Sequence, residues 1–166
     1  MTTKEMTSPL QFSPPLSPHK GLTLWVDTAC EPFPGYMGVG ASLKNKNGDT
    51  IAELSKNMGA GTLGQTYFFG LMWALRDLPT DQPLLVLCSQ ECLKAVSTGN
   101  MSAEIVRAKL QNFPEAYLCA MTPINRVTDL AVAAMWGRQA DPQALPWVQK
   151  RPEFLPPPWE TPSGAV

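Results

Sequence analysis

The chain has 166 residues, enough for one domain with a hydrophobic core, and 44% of them are apolar and 16% charged. Its net charge is −1. Strong nucleic-acid binders usually carry a basic excess that displaces counterions from phosphates, so this balance argues against that class. The N-terminal residues hold no apolar signal segment, and no apolar run approaches the roughly 20 residues that a bilayer requires. We therefore expect an intracellular chain, cytoplasmic or nuclear, without a membrane anchor.

The cysteines follow no zinc-binding or Cys-x-x-Cys spacing. The single histidine, His19, lies apart from them in a proline-rich stretch. A disulfide or a metal site is the alternative, but we expect reduced, mostly buried thiols. The cysteines are Cys30, Cys88, Cys92 and Cys119.

The prolines divide the chain into three parts. They are concentrated in residues 1–20 and again in 140–166, and proline favours extended, weakly packed backbone. We therefore expect a folded domain over 21–139 between two proline-rich segments. The C-terminal segment also carries Trp147 and Trp159, so it is either a linker or a segment that docks on a surface.

The domain begins with three predicted strands. Leu22–Cys30 is rich in β-forming residues, and a Gly/Pro turn follows it. Met37–Leu43 and Thr50–Lys56 are predicted to form a hairpin around Asn47-Gly48, because both turn residues tolerate positive φ. These elements predict an antiparallel meander.

Helices and strands then alternate. A helix is predicted over 63–78, where apolar residues recur every three to four positions. Pro83–Cys88 is a continuous apolar run, which is typical of a central strand. The remaining predictions are helices at about 90–97, at 102–112 with Ser102 as N-cap and at 125–137, and a strand over 116–121. The order β-β-β-α-β-α-α-β-α predicts an α/β fold whose mixed five-stranded sheet has helices on both faces.

Phe69 and Trp73 lie off the apolar face of the first helix, which is therefore apolar nearly all round. Other helices of the domain could cover them. Alternatively, they form an exposed aromatic patch that contacts a protein partner.

The element order and four local strings resemble the type 1 ribonuclease H family. Leu22–Glu53 is similar to its opening hairpin, with an Asp at the end of the first strand and Gly-x-Gly in the second. Ala60–Leu75 is similar to its central helix with the preceding loop, and Leu85–Gln90 to its fourth strand. Asn125–Asp129 resembles the Asn-Arg-x-x-Asp that opens the last helix of gammaretroviral ribonuclease H domains. The resemblance implies an origin in a retroelement polymerase polyprotein.

The resemblance also implies a site for metal-dependent hydrolysis of the RNA strand of RNA/DNA hybrids. The family holds two Mg²⁺ ions with four carboxylates, because neighbouring divalent cations demand clustered anionic oxygens. Carried over by position, these fall on Asp27, Tyr67 (or Phe68 after a one-residue shift), Ser89 and Asp129. Two of the four carboxylates are thus expected to be absent, and Asp27 and Asp129 could hold Mg²⁺ at most weakly.

Glu31 and Glu91 could supply substitute ligands. Side-chain alternation along the strand and the position of Glu91 at the start of a helix argue against this. The family's histidine-bearing loop before the last helix is also missing. We therefore expect no catalytic residues, no required cofactor, and an inactive ribonuclease H-like module that contacts a protein partner. A non-cleaving nucleic-acid-binding module and an active metal-dependent ribonuclease are the alternatives.

Overall fold

The computed structural model contains one six-stranded sheet with helices on both of its faces. The structure describes residues 10–12, 14–15, 20–31, 35–97, 100–121 and 124–136. The predicted C-terminal segment, with Trp147, Phe154 and Trp159, lies outside the described residues, as does His19.

The strands confirm the predicted meander followed by parallel strands. Their order across the sheet is β1-β6-β5-β2-β3-β4, with β2–β3 and β3–β4 antiparallel and β2–β5 and β5–β6 parallel. The predicted hairpin turn is present, since Gly48 has φ +87° and the Asn45 side chain accepts hydrogen bonds from the backbone N–H groups of Asn47 and Asp49. The strands are β1 Leu10–Gln11, β2 Leu22–Glu31, β3 Gly35–Lys44, β4 Thr50–Gly61, β5 Leu84–Cys88 and β6 Ala116–Ala120.

The short strand β1 was not predicted. It lies within the proline-rich N-terminal segment and pairs in parallel with the edge strand β6, with Leu10 opposite Ala116. The other five strands and the helices on both faces confirm the predicted α/β class.

The helices agree with the prediction except at some of their ends. They are α1 Leu63–Ala74, α2 Gln90–Ser97, α3 Met101–Leu110 and α4 Asn125–Met135. The first ends before the predicted residue 78, and Asp77 just beyond it has φ +62°. The N-cap of α3 is Asn100, whose side chain accepts a hydrogen bond from the N–H of Ala103, so the prediction of Ser102 was wrong by two residues.

Helix α4 packs across β2, β3 and β4 on one face of the sheet. Glycines on β3 permit this close approach, because a Cβ on Gly38 would lie 2.3 Å from the Met135 nitrogen and one on Gly40 2.4 Å from the Val127 oxygen. The Gly-x-Gly of the sequence therefore lets the backbone of α4 pack directly against β3. The helix is fixed at its start by an ion pair between Arg126 and the buried Glu53, with 2.6 Å between nitrogen and oxygen.

The other face carries the main hydrophobic core. Side chains of β2, β5 and β6 pack there against α1, α2 and α3, with Leu71, Val106 and Leu118 fully buried. The four cysteines are buried and free, as predicted. Within the described ranges no helix is long and apolar enough to cross a bilayer.

Candidate functional site

An open pocket of about 400 Å³ lies at the carboxyl ends of β2 and β5. The end of a strand beside parallel neighbours is where α/β folds commonly place their sites. Segments of β2, α1, α2 and α4 enclose it. The lining residues are Asp27, Thr28, Ala29, Cys30, Glu31, Leu63, Tyr67, Ser89, Glu91, Val132, Met135 and Trp136.

Asp27 lies on β2 and directs its carboxylate towards α4. One oxygen accepts a hydrogen bond from Thr128 Oγ1 at 2.8 Å, and the other accepts one from the Thr28 backbone N–H at 2.9 Å. Both oxygens are therefore engaged within the protein.

Tyr67 lies on α1 and faces the same pocket. Partial burial raises the pKa of its phenol, and the charges of Glu91 and Asp27 and two neighbouring thiols raise it further. A phenol with a raised pKa stays protonated at neutral pH and does not act as an anionic ligand. Phe68, the residue of the alternative alignment, lines a different cavity beside Gly64, and its ring is tilted by 56° to that of Phe69 with 5.0 Å between centroids.

Ser89 follows β5 and begins α2. Its Oγ accepts a hydrogen bond from the Cys92 backbone N–H at 3.1 Å, as an N-cap side chain does. Because a serine hydroxyl is neutral, it brings no charge to the pocket.

Asp129 does not join the other three positions. It is exposed on α4 and is not among the residues that line the pocket. The face of α4 towards the pocket carries Val132 and Met135, and Thr128 holds the position opposite Asp27. Asp129 lies one residue further round the helix, about 100° away. On α4 it is thus Thr128 that contacts Asp27, and Asp129 stays outside the pocket lining.

Glu31 and Glu91 do reach the pocket. The alternation argument against Glu31 was wrong, because it lies four residues after Asp27 on the same strand and an even spacing returns to the same face. Glu91 enters from the first turn of α2, beside Ser89. Both are exposed at the rim.

These donors do not fit a pair of Mg²⁺ ions. Such a pair needs several anionic oxygens converging on positions about 3.5–4 Å apart. Here the oxygens of Asp27 are hydrogen-bonded, and Tyr67 and Ser89 are neutral. Within the part of the chain that the structure describes, no three His, Cys, Asp or Glu side chains are grouped closely enough to hold a metal ion.

The predicted partner patch at Phe69 and Trp73 is corrected by the structure. Trp73 is 4% exposed and lies against β4 and the end of α1, with Lys56 Nζ 5.0 Å and the Arg76 guanidinium carbon 4.9 Å from its ring centroid. Phe69 is half-buried and packs against the core. The domain itself buries Trp73, beside the part of β4 that holds Ala52, Glu53 and Leu54, and covers Phe69 in part.

Sequence reasoning missed the contribution of α4 to the pocket. Val132, Met135 and Trp136 line the pocket and Thr128 contacts Asp27, and their helical spacing could have identified the inward face. The match to the Asn-Arg-x-x-Asp motif directed attention to Asp129 instead. Trp136 follows the helix as its C-cap and is 49% exposed.

Comparison with solved structures identifies the fold. The chain is similar to ribonuclease H1 from Halobacterium salinarum, with 22% identity, a TM-score of 0.59, and coverage of 70% of this chain and 98% of that one. It is also similar to LC11 ribonuclease H1, isolated from compost, at 19% identity, a TM-score of 0.59 and coverage of 71% and 97%.

A third match is the N-terminal ribonuclease H domain of a Mycobacterium tuberculosis protein, with 20% identity, a TM-score of 0.53 and coverage of 70% and 94%. No protein-family model and no curated protein matches the sequence. The chain therefore has a ribonuclease H-like fold.

Proposed function

We propose that this chain is a catalytically inactive ribonuclease H-like domain that serves as a protein-interaction or scaffold module. The observation that carries the proposal is the composition of the pocket at the ends of β2 and β5. Of the four positions where the resemblance implies carboxylates, Tyr67 and Ser89 are neutral, Asp129 lies outside the pocket, and Asp27 is hydrogen-bonded to Thr128.

The hydrogen bond between Thr128 and Asp27 supports a structural role for this carboxylate. It links β2 to α4, two elements that both line the pocket. A carboxylate bonded to a hydroxyl at 2.8 Å is already solvated by the protein, so a cation must compete with that bond. The pocket therefore lacks carboxylates at the Tyr67 and Ser89 positions, where a metal-dependent mechanism would need them.

The resemblance of Asn125–Asp129 to gammaretroviral domains supports an origin in a retroelement polymerase polyprotein. The vertebrate protein NYNRIN, which resembles a domesticated relic of such a polyprotein, is our candidate for the parent chain.

A nucleic-acid-binding module that does not cut is the second candidate. One observation favours it: LC11 ribonuclease H1, similar in fold to this chain with a TM-score of 0.58, has been solved in complex with an RNA/DNA hybrid. The net charge of −1 and the acidic rim of the pocket oppose it, because both repel phosphates. Sub-micromolar affinity for hybrid over duplex DNA at physiological salt would place this candidate first.

The proposal is tested by incubating the purified chain with a labelled RNA/DNA hybrid in Mg²⁺ or Mn²⁺. We expect no cleavage by the wild type and no difference from Asp27→Asn. An active ribonuclease H1 in the same buffer is the positive control. Cleavage by the wild type that disappears in Asp27→Asn would contradict the proposal and establish an active ribonuclease.

A further inference from the structure

We propose that the pocket at the ends of β2 and β5 binds the side chain of an arginine presented by a protein partner. The inference rests on the proposed function, because it takes the former catalytic site to be a docking site. It also replaces Phe69 and Trp73 with a different surface for partner contact.

The charge of the pocket favours a cation. Asp27, Glu31 and Glu91 come from two different elements, and none of the described residues that line the pocket is basic. Burial is the largest cause of the raised pKa of Tyr67, and the charges of Glu91 and Asp27, which line the same pocket, raise it further. Carboxylates that face a concave space attract a cationic group and repel phosphates.

The apolar walls favour a side chain over a free ion. Leu63 and Trp136 are 39% and 49% exposed at the rim, and Tyr67, Val132 and Met135 line the interior. Trp and Tyr rings attract a cation over their faces, and aliphatic walls cover the methylene groups of a long side chain. Apolar walls do not stabilise a hydrated Mg²⁺ ion, because they offer its water shell no hydrogen bonds.

The same features select arginine over lysine. A guanidinium is planar and weakly hydrated, stacks on aromatic rings and binds carboxylates in a bidentate manner, whereas an ammonium is a strongly hydrated point charge. The volume of about 400 Å³ lies in the range of pockets that enclose small ligands, roughly 300–1,000 Å³. The charge and the walls suit an arginine side chain, and the volume is large enough to admit it.

The test uses arginine amide as the probe and its neutral isostere citrulline amide as the control. Binding is followed by NMR of the whole ¹⁵N-labelled chain, with the indole N–H of Trp136 assigned from Trp136→Phe. We expect arginine amide to shift Trp136 and the backbone signals of Glu31 and Glu91, with a Kd on the order of 1–10 mM. Citrulline amide leaves them unchanged.

The variant Glu31→Gln/Glu91→Gln removes two exposed charges and should weaken arginine amide binding by about tenfold. The matched control is Glu104→Gln, an exposed glutamate on α3 outside the pocket. Shifts spread over the acidic surface, equal shifts with citrulline amide, or no shift at Trp136 would each overturn the inference. Pocket shifts caused by a short RNA/DNA hybrid instead would overturn it in favour of a nucleic-acid site.

Three further outcomes are distinguishable. Tighter binding of the probe by Arg138→Ala, a position outside the described residues, would show that an arginine of this chain competes for the pocket, which would overturn the partner assignment. Cleavage of hybrid by the wild type refutes the proposed function itself. If the wild type neither cleaves hybrid nor binds arginine amide, the arginine-binding inference is refuted and the proposed function is not.

Discussion

Tyr67 shows how a single replacement changes the chemistry of the pocket. A glutamate at this position would bring a charge towards Asp27 and Glu91, whereas the phenol brings a neutral ring. Its raised pKa has burial as the largest cause and the charge of Glu91 as the next. The neighbouring carboxylates therefore favour the protonated phenol.

This predicts a specific alkaline titration. Tyr67 should ionise above the ordinary value of 10.0, and its contribution to stability should be complete below that pH and lost as the pH rises through the raised pKa. Ultraviolet difference titration of the wild type and Tyr67→Phe measures this, because the difference between the two curves is the titration of Tyr67. Loss of an early-ionising phenol in Tyr67→Phe would contradict the assignment.

At the scale of elements, most strands and helices followed from the sequence because their signals are local. Alternating β-rich runs, the Asn47-Gly48 turn and the apolar periodicity of α1 each depend on neighbouring residues. The strand β1 was not predicted. It lies in a proline-rich segment, and its pairing with β6 joins residues about a hundred positions apart along the chain. Helix ends were also misplaced where capping depends on detailed geometry.

The start of α3 provides a prediction of stability. Asn100→Ala removes the hydrogen bond to the Ala103 N–H and should lower the free energy of unfolding by about 1 kcal/mol. Ser102→Ala, the cap expected from sequence, should change it by less than about 0.5 kcal/mol because Ser102 is exposed. Urea unfolding of both variants compares them. Equal losses would show that Asn100 is not the cap.

For the whole molecule, sequence reasoning placed Asp27, Tyr67 and Ser89 together correctly, since strand and helix order brings them to one end of the sheet. Asp129 is exposed outside the pocket lining, because one position on a helix decides which way a side chain faces. The sequence left open whether Trp73 is covered, and the structure buries it beside β4. Both cases concern side-chain orientation between elements, which residue spacing does not determine.

Reversing the replacements supplies a control for metal binding. Tyr67→Glu with Ser89→Asp crowds two new carboxylates towards Asp27 and Glu91, while aspartate at position 89 can still cap α2. We expect the metal-free variant to be less stable by on the order of 1–3 kcal/mol, mostly from Tyr67→Glu. Mg²⁺ should recover part of that loss, because a cation that binds the native state alone stabilises it.

The most direct test of the central claim is the change in melting temperature of the wild-type chain on addition of about 10 mM Mg²⁺. The pocket offers hydrogen-bonded Asp27 and neutral Tyr67 and Ser89 where the resemblance implies metal ligands. We therefore predict a rise of less than about 1 °C, with a larger rise for the Tyr67→Glu/Ser89→Asp variant. A rise of several degrees in the wild type that disappears in Asp27→Asn would show that the pocket still binds divalent metal.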